Sequence, residues 1–155
     1  MRARELTAEE AEAPLGWHYP DPFSTYDAEG TIRRELGYFA VEEDGDLVGY
    51  GVVGAEARVP GVEEEAGTID VGYGMRPDLI GQGRGHAFVG AILAHALAAD
   101  PTAARLRMSI LDWNVRSRRV AEAHGFRFLE RAGEFDVLVR EAAPRRHGAE
   151  EYREG

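Results

Sequence analysis

The feature that most constrains this chain is a cluster of alternating glycines, Ile80-Gly81-Gln82-Gly83-Arg84-Gly85-His86, set between two runs of different periodicity. Before it, Thr68-Ile69-Asp70-Val71-Gly72-Tyr73-Gly74-Met75 reads as a strand that Pro77 stops. After it, Phe88, Val89, Ile92, Leu93, Ala96 and Leu97 recur at helical spacing, which predicts a long amphipathic helix over His86 to Ala99, closed by Asp100-Pro101. A strand, a glycine turn and a helix in that order bring backbone N–H groups and a helix N-terminus to one point, where an anion can be held. An ordinary glycine-rich turn would carry the same residues, and spacing alone leaves both readings open. The dinucleotide pattern G-x-G-x-x-G fails here, because His86 and Phe88 stand where its third glycine belongs. Gly49-Tyr50-Gly51-Val52-Val53-Gly54 matches it literally, but lies inside a strand-like run and opens no helix.

The flanking sequence reads as further alternation of strands and helices. Arg2 to Leu6 suits a short strand, and Thr7 with Glu10 matches a capping box that would start a helix running to Gly16. Trp17 to Tyr26 is too rich in proline and aromatic residues for regular structure and reads as a wrapping segment or lid, with a short helix near Ile32 to Leu36. Tyr38 to Glu42 and Leu47 to Val53 flank a turn cluster and form a hairpin; Ala104 to Leu111 suits a buried strand, Ser117 to His124 a short helix stopped by Gly125. Phe126 to Arg131 and Phe135 to Arg140 close the fold as a second hairpin across Gly133. Residues 1–143 are expected to form one domain, and 144–155 a charged, mobile tail.

Composition removes several classes of function. The chain of 155 residues carries 18 basic and 28 acidic residues, a formal charge of −10, which disfavours nucleic acid as the main ligand. It has no cysteine, so thiol nucleophiles, disulfides and Cys-type metal sites are excluded. All the basic residues are Arg; without Lys there is no Schiff base and no P-loop. The five histidines share no ligand spacing, so no metal is expected. No apolar run approaches the ~18 residues of a membrane span and none looks like a secretion signal, so a cytoplasmic protein without a membrane partner is expected.

Two motifs then resemble the GNAT superfamily of acetyl-CoA-dependent N-acetyltransferases, over nearly the whole length from Arg2 to about Arg140. The family's loop, Arg/Gln-x-x-Gly-x-Gly/Ala, maps onto Ile80, Gly83 and Gly85, preceded by Met75-Arg76-Pro77. Downstream, Asn114-x-x-Ser117, Glu122 and Gly125-Phe126 resemble the N-x-x-S … E-x-x-G-F pattern of the branch that includes ribosomal-protein-alanine acetyltransferases. Ile80 departs from the usual first loop residue, which removes a side chain and leaves the amides. The resemblance implies a mixed α/β fold: a central, mostly antiparallel sheet of six or seven strands, helices on both faces, and a strand ending at Met75 that splays away from Ala104 to Leu111.

The same resemblance implies acetyl-CoA as co-substrate, a primary amine as acceptor, no metal, and a homodimer as a family expectation. The amides of Gly81, Gln82, Gly83, Arg84, Gly85 and His86 would hold the diphosphate, and main-chain groups near Gly74 and Met75 the pantetheine. Asn114 would touch the pantetheine arm or simply cap the helix at Ser117. Asp70 stands where many relatives carry a Glu that draws the amine proton; it could instead face solvent or pair with an Arg. Ala121 replaces the Tyr that usually protonates the thiolate, which leaves Ser117 as the alternative acid. Trp17, Tyr19, Phe23 and Tyr26, with His18 and Asp21, lie where relatives bind the acceptor, and could hold a cationic amine or merely cover the sheet. Two functions follow: an N-acetyltransferase acting on a small molecule or protein N-terminus, or an acyl-CoA-binding module with little or no catalysis.

Overall fold

The computed structural model describes residues 1–143; the expectation of a mobile tail over 144–155 lies outside the described residues. Seven strands form one sheet: β1 (Arg2–Arg4), β2 (Tyr38–Glu43), β3 (Asp46–Val53), β4 (Thr68–Met75), β5 (Arg105–Leu111), β6 (Arg127–Ala132) and β7 (Phe135–Glu141). The spatial order is β1-β2-β3-β4-β5-β7-β6. Every neighbouring pair is antiparallel except β4 and β5. That one parallel pair is connected through helix α1 (Gly85–Ala99), as a parallel crossover requires. Helix α2 (Val115–Ala123) follows β5 and packs against α1.

Alternation along the strands divides the core. Phe39, Val41, Ile69, Val71, Leu106 and Met108 point to the face that α1 covers with Phe88, Val89, Ile92 and Leu93. The opposite face buries Ala40 beneath Leu6 and Ile32 of the N-terminal segment, whose helical pieces are 3₁₀ turns at Ala13–Gly16, Phe23–Tyr26 and Arg34–Leu36. The expected helix over Thr7 to Gly16 is therefore reduced to turns. Its capping box does form, with Thr7 N–H on Glu10 at 3.1 Å and Glu10 N–H on Thr7 Oγ1 at 3.2 Å. Pro14 lacks the N–H that would continue the ladder, and Arg4 ties Glu10 back to β1 through two 2.7 Å bonds.

The glycines of Gly49 to Gly54 have a packing role. A Cβ on Gly49 would sit 2.5 Å from the Phe88 ring, and one on Gly51 2.3 Å from the Phe39 ring, so these positions admit α1's largest side chain and its neighbour. The strand β4 matters most for function. It pairs with β5 only at Thr68, Ile69 and Asp70, opposite Arg105, Leu106 and Arg107. Beyond Asp70 the two strands separate, as the family resemblance implied.

Candidate active site

The gap between β4 and β5 has its polar surface fixed by strand parity. Arg76 N–H donates to Val48 O at 2.9 Å and Gly54 N–H to Asp70 O at 3.0 Å, so the even-numbered residues from Asp70 to Arg76 turn their main chain towards β3. Val71, Tyr73 and Met75 turn theirs into the gap. Of the expected pantetheine contacts, Met75 faces the gap and Gly74 does not; Gly74 is paired opposite Tyr50. The missing Cβ of Gly74 instead makes room for the Tyr50 ring, 2.6 Å from where that carbon would lie.

At the open end of the gap the glycine loop turns into α1. Gly81 and Gly83 take φ of +81° and +75°, a region that favours glycine. The first main-chain bond of the helix is Phe88 N–H to Arg84 O at 3.1 Å. Among the hydrogen bonds of the described residues, none uses the N–H of any residue from Gly81 to Ala87. Seven consecutive unpaired donors at a helix N-terminus, with the helix dipole adding to them, are chemically suited to an anion. Gln82 uses its side chain to bond Asp78 O at 2.7 Å, and His86 O meets His124 Nε2 at 3.0 Å, so these side chains hold the loop. The Arg84 side chain pairs with Glu43.

A cavity of about 650 Å³ joins the loop to the gap. Its charged lining among the described residues consists of Arg84, Arg116 and Arg119, with no Asp or Glu, although the whole chain carries −10. The N-terminal segment bridges the gap from one lip to the other. Tyr19 donates its hydroxyl to Met75 O at 2.5 Å on the β4 side, and Tyr26 accepts from Asn114 Nδ2 at 2.9 Å on the β5 side. Asp27 braces this lid by accepting Tyr19 N–H at 2.9 Å and meeting His18 at 3.2 Å. Trp17 does not line the cavity; it stacks on Tyr50, which does, at 6.1 Å between ring centroids. Burial pushes the Tyr50 phenol up to about 12 and raises Tyr19 and Tyr26 as well, so all three hydroxyls stay protonated at neutral pH.

Ser117 and Asn114 reach the cavity together. Asn114 caps α2 by accepting Ser117 N–H at 3.2 Å, so its capping role and its place beside the gap are both realised. Asp70 is elsewhere. Its carboxylate is 4% exposed and accepts from Arg107 at 2.6 and 3.1 Å and from Arg58 at 3.0 Å, on the sheet face opposite Val71 and Tyr73. It does not line the cavity. The carboxylates considered as substitutes are also committed or remote: Glu42 pairs with Arg2 and Arg4, Asp21 accepts from Ser24, and Glu35 lies outside the lining.

Sequence reasoning missed Tyr73, Tyr50, Arg116 and Arg119, all of which line the cavity together with Phe23 of the expected aromatic cluster. Arg116 lay within the Asn114-x-x-Ser117 motif as an unspecified position; here its guanidinium sits 5.7 Å above the Phe23 ring and beside Gly81. Tyr73 had the strand's own alternation as its signal.

Comparison with known proteins adds the following. Residues 3–127 match the family described as the acetyltransferase (GNAT) domain. The aminoglycoside acetyltransferase AAC(6')-Ib, solved with coenzyme A and kanamycin, superposes with a TM-score of 0.72 at 18% identity, covering 98% of each chain. The Escherichia coli ribosomal-protein-S18-alanine N-acetyltransferase gives 0.59 at 12% identity, over 94% of this chain and 96% of that one. Campylobacter jejuni N-acetyltransferase PseH, in complex with acetyl coenzyme A, gives 0.55 at 16% identity, over 68% and 67%. No curated protein sequence matches the chain.

Proposed function

Since the chain belongs to the GNAT acetyltransferase family, we propose that it transfers the acetyl group of acetyl-CoA to a primary amine carried on an aromatic or aliphatic body. The observation that carries this reading is the row of seven unbonded amides from Gly81 to Ala87, beside Arg116 and Arg119, in a chain that is otherwise strongly acidic. Such a patch suits a diphosphate on a narrow arm. The main-chain groups of Tyr73 and Met75 are the ones available to pair with the amides of that arm, and Tyr19 must release the Met75 carbonyl for the second of them to do so.

The acceptor side is the lid. Tyr19, Phe23, Tyr26 and Tyr50 present aromatic surface with no carboxylate among the described lining, which favours an apolar amine over a polycation. With Asp70 bound by two guanidinium groups, the amine reaches the thioester neutral, having given its proton to water. Attack on the carbonyl carbon then expels the thiolate beside Ser117, at the N-terminus of α2, where the helix dipole favours negative charge.

The test is an acceptor screen by mass shift with acetyl-CoA held constant, alongside calorimetric titration with acetyl-CoA. Acetylation of aromatic or aliphatic monoamines is expected, with slower turnover of polyamines. Preference for polycations would overturn the acceptor class. The second reading, an acyl-CoA-binding module, is favoured by one observation: Ala121 is 1% exposed within the core, so α2 offers no phenol where relatives carry one. Tight acetyl-CoA binding without release of CoA across the panel would select that reading.

A further inference from the structure

The geometry points to the Tyr73 hydroxyl as the proton donor to the departing thiolate, with Ser117 behind it as the group that returns the proton. This rests on the transferase reading above and replaces the missing phenol of α2 by one from the opposite lip of the gap.

With the diphosphate at the glycine loop, an extended arm must run back along β4 from Met75 towards Asp70 and Arg107, where the strands rejoin. Tyr73 lies between those limits. Its side chain lines the cavity on the α1 face of β4, and its ring is fixed edge-on against Phe88, with centroids 5.7 Å apart and planes at 83°. Ser117, at the start of α2, lines the same cavity as Tyr73. Ser117 is held in turn by Asn114, which caps α2 and donates to Tyr26. Three separate elements, the strand β4, the start of α2 and the lid, thus converge hydroxyls on one stretch of gap. Burial raises the Tyr73 pKa, so its hydroxyl carries a proton at neutral pH. No side-chain hydrogen bond among the described residues spends the Tyr73 proton, which is left for the cavity that the side chain lines. Of the other phenols, Tyr19 spends its proton on Met75 O, and Tyr26 sits on the lid rather than against β4.

The step balances. The amine nitrogen bonds to the carbonyl carbon, the C–S bond breaks, and sulfur keeps the electron pair and takes the Tyr73 proton. The phenolate recovers a proton from Ser117, which is resupplied through water by the N–H proton that the nitrogen sheds as the amide forms, the ammonium proton having gone to bulk water before attack. An amide and free thiol leave, and the enzyme is restored.

The experiment compares Tyr73→Phe, Ser117→Ala, the double variant and Tyr26→Phe with the wild type, using the best acceptor from the screen. Tyr73→Phe should lower kcat by about 10²-fold, the low end for a general acid, with calorimetric acetyl-CoA affinity and unfolding temperature unchanged. Ser117→Ala should cost less, and the double variant should be no slower than Tyr73→Phe alone, as expected of groups acting in series. The inference is overturned if Tyr73→Phe keeps its kcat, if its loss is matched by an equal loss of acetyl-CoA affinity, or if Tyr26→Phe carries the defect instead. A wild type that binds acetyl-CoA and releases no CoA with any amine removes the transferase reading itself, and this inference with it. Turnover in the wild type together with an unimpaired Tyr73→Phe removes this inference alone.

Discussion

Two polar regions lie at opposite ends of the gap between β4 and β5 and are built on opposite rules. At the closed end Asp70, Arg107 and Arg58 form a buried ion cluster, extended by Arg107 to Glu63 O at 2.6 Å and to Glu65 at 3.2 Å. Every strong group there has a partner. At the open end, the amides of Gly81 to Ala87 face outward with none among the described residues. Buried charges that are mutually satisfied hold a structure together, whereas donors left unpaired on a surface are available to a ligand. The contrast separates the two regions by what they leave free: the Asp70 carboxylate is committed to two guanidinium groups, while the loop amides keep their donors for a ligand.

The most severe way to break this comparison is to empty the closed end. Asp70→Asn keeps the shape but leaves Arg107 buried without its carboxylate, which costs about 3–5 kcal/mol. In a domain of this size that lowers the unfolding midpoint by roughly 6–20 °C. Turnover per folded molecule and acetyl-CoA affinity should stay within about twofold of wild type. A variant that is thermally normal and slow, with activity returning at high pH, would put Asp70 back in the chemistry. The open end should respond the other way. Gly83→Val forces a β-branched residue to φ +75°, where no neighbour lies within 4 Å of its new carbon, so the strain falls on the loop itself. Acetyl-CoA affinity should fall about 100-fold, near 2.7 kcal/mol, with little change in fold content by circular dichroism. Gly85→Val is a poorer probe: its Cβ would sit 3.3 Å from Val120, so the α1 and α2 packing is disturbed as well.

How far the sequence carried each region follows from the range of the interactions. The loop was legible because everything that makes it is local: three glycines, a strand before, an apolar period after. The antiparallel hairpins followed from local signals of the same kind, whereas the splay was implied only by the family resemblance. Asp70 was not legible, because its partners are 12 and 37 residues away and depend on strand register, which no local pattern fixes. Tyr73 was hidden for a related reason; alternation says which residues share a face, but not that the face beyond Asp70 opens into a cavity. The helix expected after Thr7 is not formed although its cap is, because Pro14, seven residues on, interrupts the ladder.

A third satisfied carboxylate offers a smaller effect with a defined pH window. Glu10 is lowered from its ordinary 4.5 to about 2, first by the Arg4 guanidinium and also by the Thr7 amide and hydroxyl, against the opposing pull of burial. A depressed carboxylate stabilises the fold above its unfolded pKa and loses that contribution as pH falls through the folded one, so the loss belongs between about pH 4.5 and 2. Glu10→Gln should cost about 1 kcal/mol at neutral pH, the upper end for a partly exposed pair. The difference from wild type should close on acid titration followed by tryptophan fluorescence. An unchanged gap at pH 2 would mean that the loss is one of packing.

The smallest expected effect is the sharpest test of the rule, because Arg84 lies at the open end yet is satisfied. Its side chain is committed to Glu43 of β2, while its own amide remains one of the seven free donors. If ligand binding depends on unpaired groups, Arg84→Ala should change acetyl-CoA affinity by less than about twofold, under 0.5 kcal/mol, because the main chain that binds is untouched. Arg116→Ala should cost more, since that guanidinium lies beside Gly81 and lines the cavity with no ion pair among those of the described residues. Lowering the salt should widen the gap between the two variants, because only the uncommitted charge is free to meet a phosphate. If Arg84→Ala proves the more damaging at every ionic strength, the Glu43 pair opens on binding, and satisfied and available groups at this end of the gap are not distinguished by the structure of the free protein.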